Sequence, residues 1–592
     1  MSDLLAIISH DRSRPVGVEA IEGLASSYEA LRGPSAVRET AAADWAAVSV
    51  VDRPQPAMVG VERQGQGWTA WAGPLVDPMT TAAAPLERLD GQFALVRLEA
   101  DGATLRVATD PLGMKPLFVA ESGGRTYVST SALALARHLR LGPSRPGLES
   151  FLRTGNQFGR HTPWEGVERL RPAESLTFTP ERRQRGSYWQ PTVEEDVRRL
   201  PFEATAEACV DAAAAAIAAR YGERRPWLDL TGGFDTRLLA LLGQRARLDF
   251  LTNTSGEESD EDVRLARQIA TAAGWPWTRF GLPGDWQELL PERIGEAVAW
   301  GDCHLDALPL AEVMQGHREK GATESMLLNG GGGEHYRDYP WGQELWAAGR
   351  SRTVNFERLI AWRVLSPLDL SVFRQDPTPA AAAGARAELE ARVEPFAATP
   401  NTFQCDLLYA LKATGHFGAY QSTAGAWEHM ELPFYLKPVF TSAISASPRH
   451  RNYHRLMREM MRRLDPRIAA IQTETGGPAE PLTLRNAHRF APYPWRRGRR
   501  FASRLRGRVL GTGDASPEPT AIDRARADLF ARLREEGRLR PTQMRSAALY
   551  DSNRLEELLD AAVAAPGAAD WTTLGRVLTA ELALEAVDAG VD

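Results

Sequence analysis

The sequence predicts an α/β protein in which a β-rich N-terminal domain precedes a doubly wound parallel sheet and a helical C-terminus. Three observations predict this fold. Short apolar segments separated by turn residues dominate up to about residue 140. From about residue 200, apolar strands alternate with glycine turns and helices, which is typical of a parallel sheet with ligands at the strand carboxyl ends. Helical spacing dominates after residue 355.

The N-terminal segments have the length and alternation of antiparallel strands. Asp101-Gly102 lies between two of them and is a strong hairpin signal. The stretch 142–147, rich in glycine and proline, is typical of a linker. We therefore expect a two-layered domain at residues 1–145. Its predicted strands are Leu4–Ser9, Ala46–Val51, Trp68–Trp71, Gln92–Leu98, Thr104–Thr109, Leu117–Val119 and Thr126–Ser129.

Residues 200–480 form the second predicted domain, and residues 481–592 would hold a basic insertion and a helical C-terminal region. The last predicted strand of the second domain ends in four glycines, Gly330–Gly333. The predicted strands are Trp227–Leu230, Asp249–Thr254 and Ser325–Leu328, and the predicted helices are Ala204–Tyr221, Thr236–Gly243 and Asp260–Ala273. In the C-terminal region the predicted core face of a helix consists of Trp571, Leu574, Val577 and Leu578.

The composition excludes several classes of protein. Hydrophobic residues make up 43% and charged residues 25%, which is the balance of a soluble globular protein. The formal net charge of −6 argues against a nucleic-acid partner. Three separated cysteines exclude a disulfide scaffold and a CxxC metal knuckle. Because neither a signal peptide nor a run of about 18 apolar residues is recognisable, we expect a cytoplasmic protein with no transmembrane segment.

The segment after the first strand of the second domain carries the clearest chemical signal. The strand ends in Thr231 and two glycines, Gly232 and Gly233, and a helix begins near Asp235. The glycines would let the backbone approach an anion and adopt positive φ, and free amides at a helix start favour phosphate. Thr231 and Thr236 add hydroxyls, and Asp235 is a candidate ligand for Mg²⁺. Taken alone, the same residues also suit a tight turn and a helix N-cap.

Several motifs resemble, in order, those of class B asparagine synthetases, whose pyrophosphate loop reads Ser-Gly-Gly-x-Asp-Ser. The resemblance covers roughly residues 85–340 and extends more loosely to about 480. Its N-terminal part looks like the family's glutaminase domain and its bridge between domains, and its second part looks like the nucleotide-binding half. The matching segments are Asp90–Ala94, Thr109–Leu117, Val128–Ala132, Phe151–Arg153, Gly166–Pro172, Tyr188–Trp189, Ser259–Asp262 and Asn329–Glu334.

The resemblance implies an Ntn-hydrolase-like N-terminal sandwich followed by an ATP-pyrophosphatase domain that takes ATP and Mg²⁺. Asp235 and Glu334 would hold the metal and act in catalysis. The first loop would grip the pyrophosphate, and the end of the second strand would lie beside the adenosine. The implied nucleotide-binding residues are Thr231, Gly232, Gly233, Asp235, Thr236, Asn253, Thr254 and Gly330.

The N-terminal part departs from the family. Ser2 stands where the family has the cysteine nucleophile of its glutaminase, and the family's Asn-Gly-Glu loop is not recognisable between residues 55 and 90. A hydroxyl is far less nucleophilic than a thiolate at neutral pH. We therefore expect an inactive glutaminase that is kept as a scaffold, although the sequence leaves open whether Ser2 retains any activity.

The second part departs as well. Arg237 replaces a small hydroxyl residue and would either contact phosphate or lie on the helix surface. Glu334 replaces the family's aspartate, and Gly331 replaces an acid linked to catalysis. The catalytic lysine expected near residues 454–478 is missing, because no lysine follows Lys437. Either an arginine replaces it or the chemistry is impaired.

Three further features are candidates for contact with a substrate or a partner. The segment 300–306 borders the acyl-substrate pocket in the family, although a polar helix start explains its residues equally well. The basic run 485–509 would grip an acidic peptide, a carrier protein or an anionic membrane surface, while a solvated helix or a flexible insertion is the favoured alternative. The candidate side chains of the first segment are Asp302, His304 and Asp306, and those after the second glycine loop are His335, Tyr336 and Asp338.

Together these features predict an AMP-forming, ATP-dependent carbon–nitrogen ligase. It would adenylate the carboxylate of a small molecule or a peptide, and an amine from a source other than its own glutaminase would displace AMP. Such departures resemble lasso-peptide macrolactam cyclases and β-lactam synthetases, natural-product enzymes in which the substrate supplies the amine. A peptide-processing or carrier protein is a candidate partner. The alternatives are an asparagine-synthetase-type amidotransferase that uses free ammonia or glutamine, and an ATP-binding pseudoenzyme.

Overall fold

The computed structural model describes residues 2–52, 59–75, 84–321, 326–344, 347–490 and 518–589. Twelve strands precede residue 190 within these ranges. In chain order, β1 to β12 are Ser2–Ser9, Val37–Ala43, Ala46–Asp52, Val59–Gln64, Gly67–Ala72, Ala94–Leu98, Leu105–Thr109, Phe118–Ser122, Arg125–Ser129, Val167–Arg169, Glu174–Phe178 and Arg183–Ser187.

These strands form two six-stranded antiparallel sheets that pack face to face. Their orders are β10-β8-β9-β1-β3-β2 and β12-β11-β7-β6-β5-β4. Side chains of both sheets, such as Ile8 and Val107, meet in one buried apolar layer. The opposite face of the first sheet is covered by helices, since Ile7 packs in the same cluster as Leu24 and Leu133. The predicted β-rich sandwich is therefore present.

The turn prediction at Asp101-Gly102 is confirmed, and the linker prediction is wrong. The Asp101 carboxylate accepts the amides of Ala103 and Thr104 at 2.8 and 2.9 Å between the paired strands β6 and β7. Within the predicted linker, Ser144 instead caps the helix Arg145–Thr154, whose first turn accommodates a proline. Strands β10 to β12 follow residue 145 and belong to these two sheets, so the sandwich continues beyond the predicted boundary.

The remaining strands form one parallel sheet. Strands β13 to β17 are Trp227–Asp229, Leu251–Ser255, Trp277–Phe280, Met326–Leu328 and His429–Glu431. Their order is β15-β14-β13-β16-β17, and every described pairing is parallel. The strand order reverses between β13 and β16, which is where doubly wound sheets open a ligand crevice. Strands β15 and β17 were not predicted from the sequence, because β15 is largely solvent-exposed and β17 has only three residues.

Helices cover both faces of this sheet. Leu238 and Leu242 pack against Leu228 on one face, and Leu407 packs with Leu327 on the other. No helix among the described residues is long and apolar enough to cross a membrane. The longer α-helices are Val18–Arg32, Ala132–Leu139, Arg145–Thr154, Phe202–Tyr221, Asp235–Arg245, Glu261–Ala273, Trp286–Gly301, Ala307–Gly321, Thr378–Val393, Asn401–Ala424, Lys437–Ser445, Arg455–Leu464, Ala521–Glu535, Ser552–Ala564 and Trp571–Asp588.

A buried ionic cluster joins the start of the chain to the second part of the molecule. Asp3 lies 3.3 Å from the Lys115 ammonium and 3.5 Å from Arg32, and Arg32 also pairs with Asp302 at 3.1 Å. Burial opposes ionisation of Asp3, but these cations and the Thr130 hydroxyl hold its pKa well below the usual range. The two carboxylates and two cations balance one another inside the protein.

Replacing Lys115 with methionine should lower the free energy of unfolding at pH 7 by about 3 kcal/mol, because it leaves a buried carboxylate without one of its cations. Because the pKa of Asp3 is depressed in the fold, this stabilisation is present above about pH 4 and is lost below it. Urea unfolding of the variant would measure the change. Lys437→Met is the matched control, since this half-buried lysine donates to the Glu87 and Leu89 carbonyls. An equal or smaller effect of Lys115→Met would contradict the prediction.

Candidate functional site

A cavity of about 410 Å³ lies at the carboxyl ends of β13, β14 and β15, beside the point where the strand order reverses. Thr231, Thr236, Asn253 and Thr254, which the sequence predicts as nucleotide-binding residues, all line it. They converge because consecutive parallel strands end at the same edge of the sheet. Two larger surface depressions lie away from these strand ends.

The loop after β13 is held by its own side chains. The Thr231 amide donates to the Thr236 hydroxyl at 3.0 Å, the two threonine hydroxyls lie 3.0 Å apart, and the Gly233 amide donates to Thr231 Oγ1 at 3.1 Å. The Gly232 amide donates to Asp262 at 3.0 Å, so a carboxylate rather than a ligand satisfies it. Contacts within the protein therefore hold the loop in this conformation.

The glycines of this loop serve a different purpose from the one the sequence suggested. Neither Gly232 nor Gly233 has positive φ, so that prediction is wrong. A Cβ at Gly232 would instead lie 2.5 Å from the Leu265 side chain of the helix Glu261–Ala273. Glycine is required here because the loop and that helix approach each other closely.

Asp235 opens the helix that follows the loop and has one satisfied and one unsatisfied oxygen. Its Oδ2 accepts from Arg337 at 2.5 Å, whereas its buried Oδ1 has no hydrogen-bond partner among the described residues. Burial raises the pKa of Asp235 to about 7; the Arg337 guanidinium opposes the rise, and the Glu334 carboxylate adds to it. An unpartnered buried oxygen beside a second carboxylate suits a cation.

The second glycine loop packs directly on the first. A Cβ at Gly330 would lie 2.8 Å from the Thr236 amide nitrogen, and one at Gly333 would lie 2.6 Å from Asp235 Oδ1. Glu334 accepts the Gly332 amide at 3.0 Å. The described residues contain no cluster of three or more metal-ligating side chains. Mg²⁺ nevertheless commonly takes only one or two carboxylates, together with phosphate oxygens and water.

The space beside Gly331 is filled. A Cβ there would lie 2.9 Å from the Phe417 ring and 2.8 Å from Leu432. The acid that the resemblance places at this position therefore has no room, and an aromatic ring stands in its place.

Asn253 has the least satisfied side chain of the cavity lining. Both its amide nitrogen and its amide oxygen are buried, and neither has a partner within the described part of the chain. Leaving such a group unpaired costs about 1–3 kcal/mol, so a polar ligand group that paired with it would be favoured. The neighbouring Thr254 hydroxyl is already engaged, because it donates to the Leu230 carbonyl at 2.7 Å and accepts from Trp277 at 3.0 Å.

Arg237 neither contacts the cavity nor lies on the helix surface, and both predictions for it are wrong. Its side chain is fully buried and donates to the carbonyls of Gly232, Ile471 and Gln472 at 3.0, 2.8 and 2.9 Å. Burial, reinforced by the Arg458 charge, lowers its pKa to about 9. Arg237 therefore ties the loop to the segment that contains Ile471 and Gln472.

Asp302, His304 and Asp306 lie away from the cavity, where the N-terminal sandwich contacts the second part of the chain. Asp302 bonds Arg32 and the Ser131 hydroxyl, and the His304 ring packs on Phe118 at 5.1 Å. Asp306 accepts the amide of Leu308 at 3.1 Å, as a polar helix start does. These contacts favour the structural interpretation of Asp302, His304 and Asp306 over substrate recognition.

The residues that follow the second glycine loop, His335, Tyr336 and Asp338, also contact other parts of the protein. His335 is buried against Phe440 at 4.9 Å, the Tyr336 hydroxyl lies 3.1 Å from the Ser442 hydroxyl, and Asp338 accepts the Tyr453 amide at 3.0 Å. The expectation that His335, Tyr336 and Asp338 face the pocket is wrong, because none of them lines the cavity. Tyr336 and Asp338 bond to neighbouring segments, and the His335 ring packs among aromatic rings, although its two nitrogens have no hydrogen-bond partner among the described residues. Residues 491–509 of the basic run lie outside the described residues.

Several residues of the cavity lining were missed by sequence reasoning. The Lys320 ammonium lies 3.4 Å from Asp229 and 5.6 Å from the Phe280 ring, and the Asn329 amide donates to Asp229 at 2.8 Å. Tyr420 also lines the cavity, and its hydroxyl lies 2.7 Å from His317. Lys320, His317 and Tyr420 are single residues on long helices, so no local motif marked them.

Comparison with known proteins bears mainly on the N-terminal half. Residues 79–189 match the Glutamine amidotransferase domain, a region that contains β6 to β12. The chain therefore contains an amidotransferase-type domain. The matched region supplies β6, β7, β11 and β12 to the second sheet of the sandwich and β8, β9 and β10 to the first. No curated protein sequence matches the chain.

Two solved structures are similar to part of the chain. One is the glutamine phosphoribosylpyrophosphate amidotransferase of B. subtilis complexed with ADP and GMP, at 12% identity over 47% of this chain and 65% of that chain, with a TM-score of 0.21. The other is described as the allosteric regulatory enzyme of purine biosynthesis, at 12% identity over 47% and 64%, also with a TM-score of 0.21. The chain thus spans less than two thirds of either enzyme, and such TM-scores do not bear on its activity.

Substituting alanine for Gly330 should disturb the contact between the two loops, because the new Cβ would lie 2.8 Å from the Thr236 amide nitrogen. We expect a loss of stability of about 1–3 kcal/mol, the usual range for overpacking a tight site. Thermal unfolding would measure it. Gly284→Ala is the matched control, since that Cβ meets nothing within 4 Å. Equal melting temperatures for the two variants would show that the loop contact is not tight.

Proposed function

We propose that the chain is an ATP-dependent carbon–nitrogen ligase that activates a carboxylate and joins it to an amine supplied from outside its own N-terminal domain. The observation that carries the proposal is the cavity beside β13. There the two threonine hydroxyls and the unsatisfied Asn253 amide converge at the edge of a parallel sheet. The unpartnered oxygen of Asp235 lies next to this loop, where a metal–phosphate group would bind.

Each side chain has a role suited to its surroundings. Thr231 and Thr236 would donate to phosphate oxygens, and Asn253 would pair with the polar edge of the nucleoside. Asp235 and Glu334 would share the magnesium ion. Bound Mg·ATP would supply the nucleotidyl group that activates the carboxylate and leaves as AMP when the amine attacks.

Arg337 would balance the charge of this site. Its guanidinium pairs with Asp235, and the charge of Glu334 also raises its pKa. When a cation binds Asp235, the arginine becomes available to an anionic group. Arg337 is therefore our candidate for the residue that replaces the catalytic lysine expected near residues 454–478.

The proposed source of the amine follows from Ser2, which stands where the resembled family has its cysteine nucleophile. The matched amidotransferase region begins at residue 79 and leaves out Ser2. Because a serine hydroxyl is a weak nucleophile, the sandwich would act as a scaffold that supports the nucleotide domain. Its contacts fit that role: the Asp90 carboxylate accepts the Lys437 amide at 3.1 Å, and the Gln92 amide donates to the Leu432 carbonyl at 2.8 Å. Substrates that supply their own amine, as in lasso-peptide or β-lactam formation, are consistent with such a division.

The domain match favours a second candidate function, an amidotransferase that obtains nitrogen from glutamine or from free ammonia. A pseudoenzyme that binds ATP without chemistry is the remaining alternative. Release of pyrophosphate that depends on an added carboxylate would exclude the pseudoenzyme.

Titration calorimetry of Mg·ATP into the full chain tests the proposed nucleotide site. Asp235→Asn keeps the size of the side chain and removes its charge, so affinity should fall by at least about tenfold, which corresponds to roughly 1.4 kcal/mol. Asp285→Asn is the matched control, because this exposed aspartate precedes a helix without capping it through its side chain. Failure of the unaltered chain to bind Mg·ATP would overturn the proposal, as would equal binding by Asp235→Asn.

Glutamine hydrolysis tests the proposed source of the amine. We expect no glutamate release above background from the unaltered chain, and therefore no change in Ser2→Ala, because residue 2 lacks a thiolate. Glutamate production can be followed with an enzymatic coupled assay. Release that Ser2→Ala abolishes would favour the glutamine-fed amidotransferase instead.

A further inference from the structure

Lys412 lacks the partners that the other lysines have. The chain contains four lysines. Lys115 pairs with Asp3, Lys320 pairs with Asp229, and Lys437 donates to two backbone carbonyls. Within the described ranges, no carboxylate lies within 4 Å of the half-buried Lys412 ammonium, and no hydrogen bond holds it. Such an ammonium favours the arrival of an anion.

A second cation, Arg363, lies near it: Arg363 stacks on Tyr339, and the Tyr339 ring packs 5.5 Å from Tyr409, about one helical turn before Lys412. Arg363 donates to the Tyr339 carbonyl at 2.6 Å and to Gln343 Oε1 at 3.4 Å, and its guanidinium stacks 4.0 Å from the Tyr339 ring centre. These partners are neutral. Burial lowers the pKa of Lys412, the Arg363 charge lowers it further, and the Glu334 carboxylate opposes both. Since neither cation has a carboxylate at ion-pair distance within the described ranges, their mutual repulsion favours the arrival of an anion.

The two cations adjoin the proposed metal site and remain open to solvent. On the helix Asn401–Ala424, Tyr409 packs on His335 at 5.5 Å, directly after Glu334. At 100° per residue, Lys412 lies on the same side of this helix as Tyr409 and His416. His416 is solvent-exposed, and Tyr339 keeps 42% of its surface exposed. A solute can therefore reach this side of the helix.

We infer that Lys412 and Arg363 form an oxyanion-binding subsite beyond Glu334, which takes either a carboxylate of the acyl substrate or a phosphate of the nucleotide. The assignment rests on the proposed function for its place in the reaction, since it sets one anion next to the carboxylates that would hold the metal. The flat guanidinium fork of Arg363 suits two oxygens of one anion, and Lys412 adds a point charge. Both are binding residues in this assignment.

Amine labelling of the full chain tests the subsite directly. Pyridoxal 5′-phosphate carries an aldehyde that condenses with a neutral amine, with loss of water, and borohydride then reduces the imine. Peptide mapping assigns the modified lysine among the four. We expect Lys412 to react on the order of tenfold faster than Lys437, because the reagent's phosphate binds nearby and because Lys437 is held by hydrogen bonds to two backbone carbonyls. A rate no greater than that of Lys437 overturns the assignment.

Protection identifies the source of the anion. Slower labelling of Lys412 with Mg·pyrophosphate indicates a phosphate subsite. Slower labelling with glutarate in the presence of Mg·ATP, and not with pyrophosphate, indicates a carboxylate subsite. If neither anion slows the reaction, the assignment is wrong.

Variants of the arginine separate binding from folding. Arg363→Met should slow labelling of Lys412 several-fold, and Arg363→Lys should restore most of the rate because it keeps the charge. Arg386→Met, which removes an exposed arginine from the helix Thr378–Val393, should leave the rate unchanged. An unchanged rate in Arg363→Met would also overturn the assignment.

The outcome is independent of the nucleotide test. If calorimetry shows no Mg·ATP binding while an anion still protects Lys412, the proposed function fails and the subsite stands. If Mg·ATP binds while Lys412 is unreactive or unprotected, the subsite fails and the proposed function stands.

Discussion

The contact between the two glycine loops is the constraint on which the candidate site depends. Gly330 and Gly333 lie so close to Thr236 and Asp235 that neither position has room for a Cβ. The two loops are about 95 residues apart in the sequence, so only the parallel pairing of β13 with β16 brings them together. Because this contact fixes Asp235 next to Glu334, it also determines where a cation would bind and, through the helix Asn401–Ala424, where Lys412 lies.

Buried polar contacts on the side away from the cavity hold the first loop in place. Arg237 loses its hydration on burial, and its hydrogen bonds to backbone carbonyls offset part of that cost. Asp262 fixes the Gly232 amide from a neighbouring helix. A loop supported in this way needs little reordering when a ligand arrives, which favours binding because less conformational entropy is lost. Because the Gly232 amide already donates to Asp262, it is not free to contact phosphate.

The sequence predicted those features that follow from local pattern. Thr231, Thr236, Asn253 and Thr254 were predictable because residues at the ends of consecutive parallel strands must share one edge of the sheet. Arg237 was misjudged, since its partners at residues 468–472 are more than 230 positions away and leave no trace in the helix pattern. Lys412 and Arg363 were not recognised as neighbours for a related reason: their proximity depends on how two distant helices pack. The short strand β17 and the exposed strand β15 fell below what hydrophobic alternation can detect.

The charges around the site explain why its ligands would bind together. Without ligands, Arg337 neutralises Asp235, and the pair leaves Glu334 as the nearby counter-charge for Lys412. A cation bound to Asp235 and Glu334 would withdraw both carboxylates from these partners, so Arg337, Lys412 and Arg363 would then lack negative charge. Anions arriving at that point relieve the imbalance, and the same anions in turn strengthen cation binding, because coupling between two binding equilibria is reciprocal. Under the proposed function, a metal ion and anionic groups at this site would therefore stabilise one another, which is the electrostatic requirement of a reaction between a metal-bound triphosphate and a carboxylate.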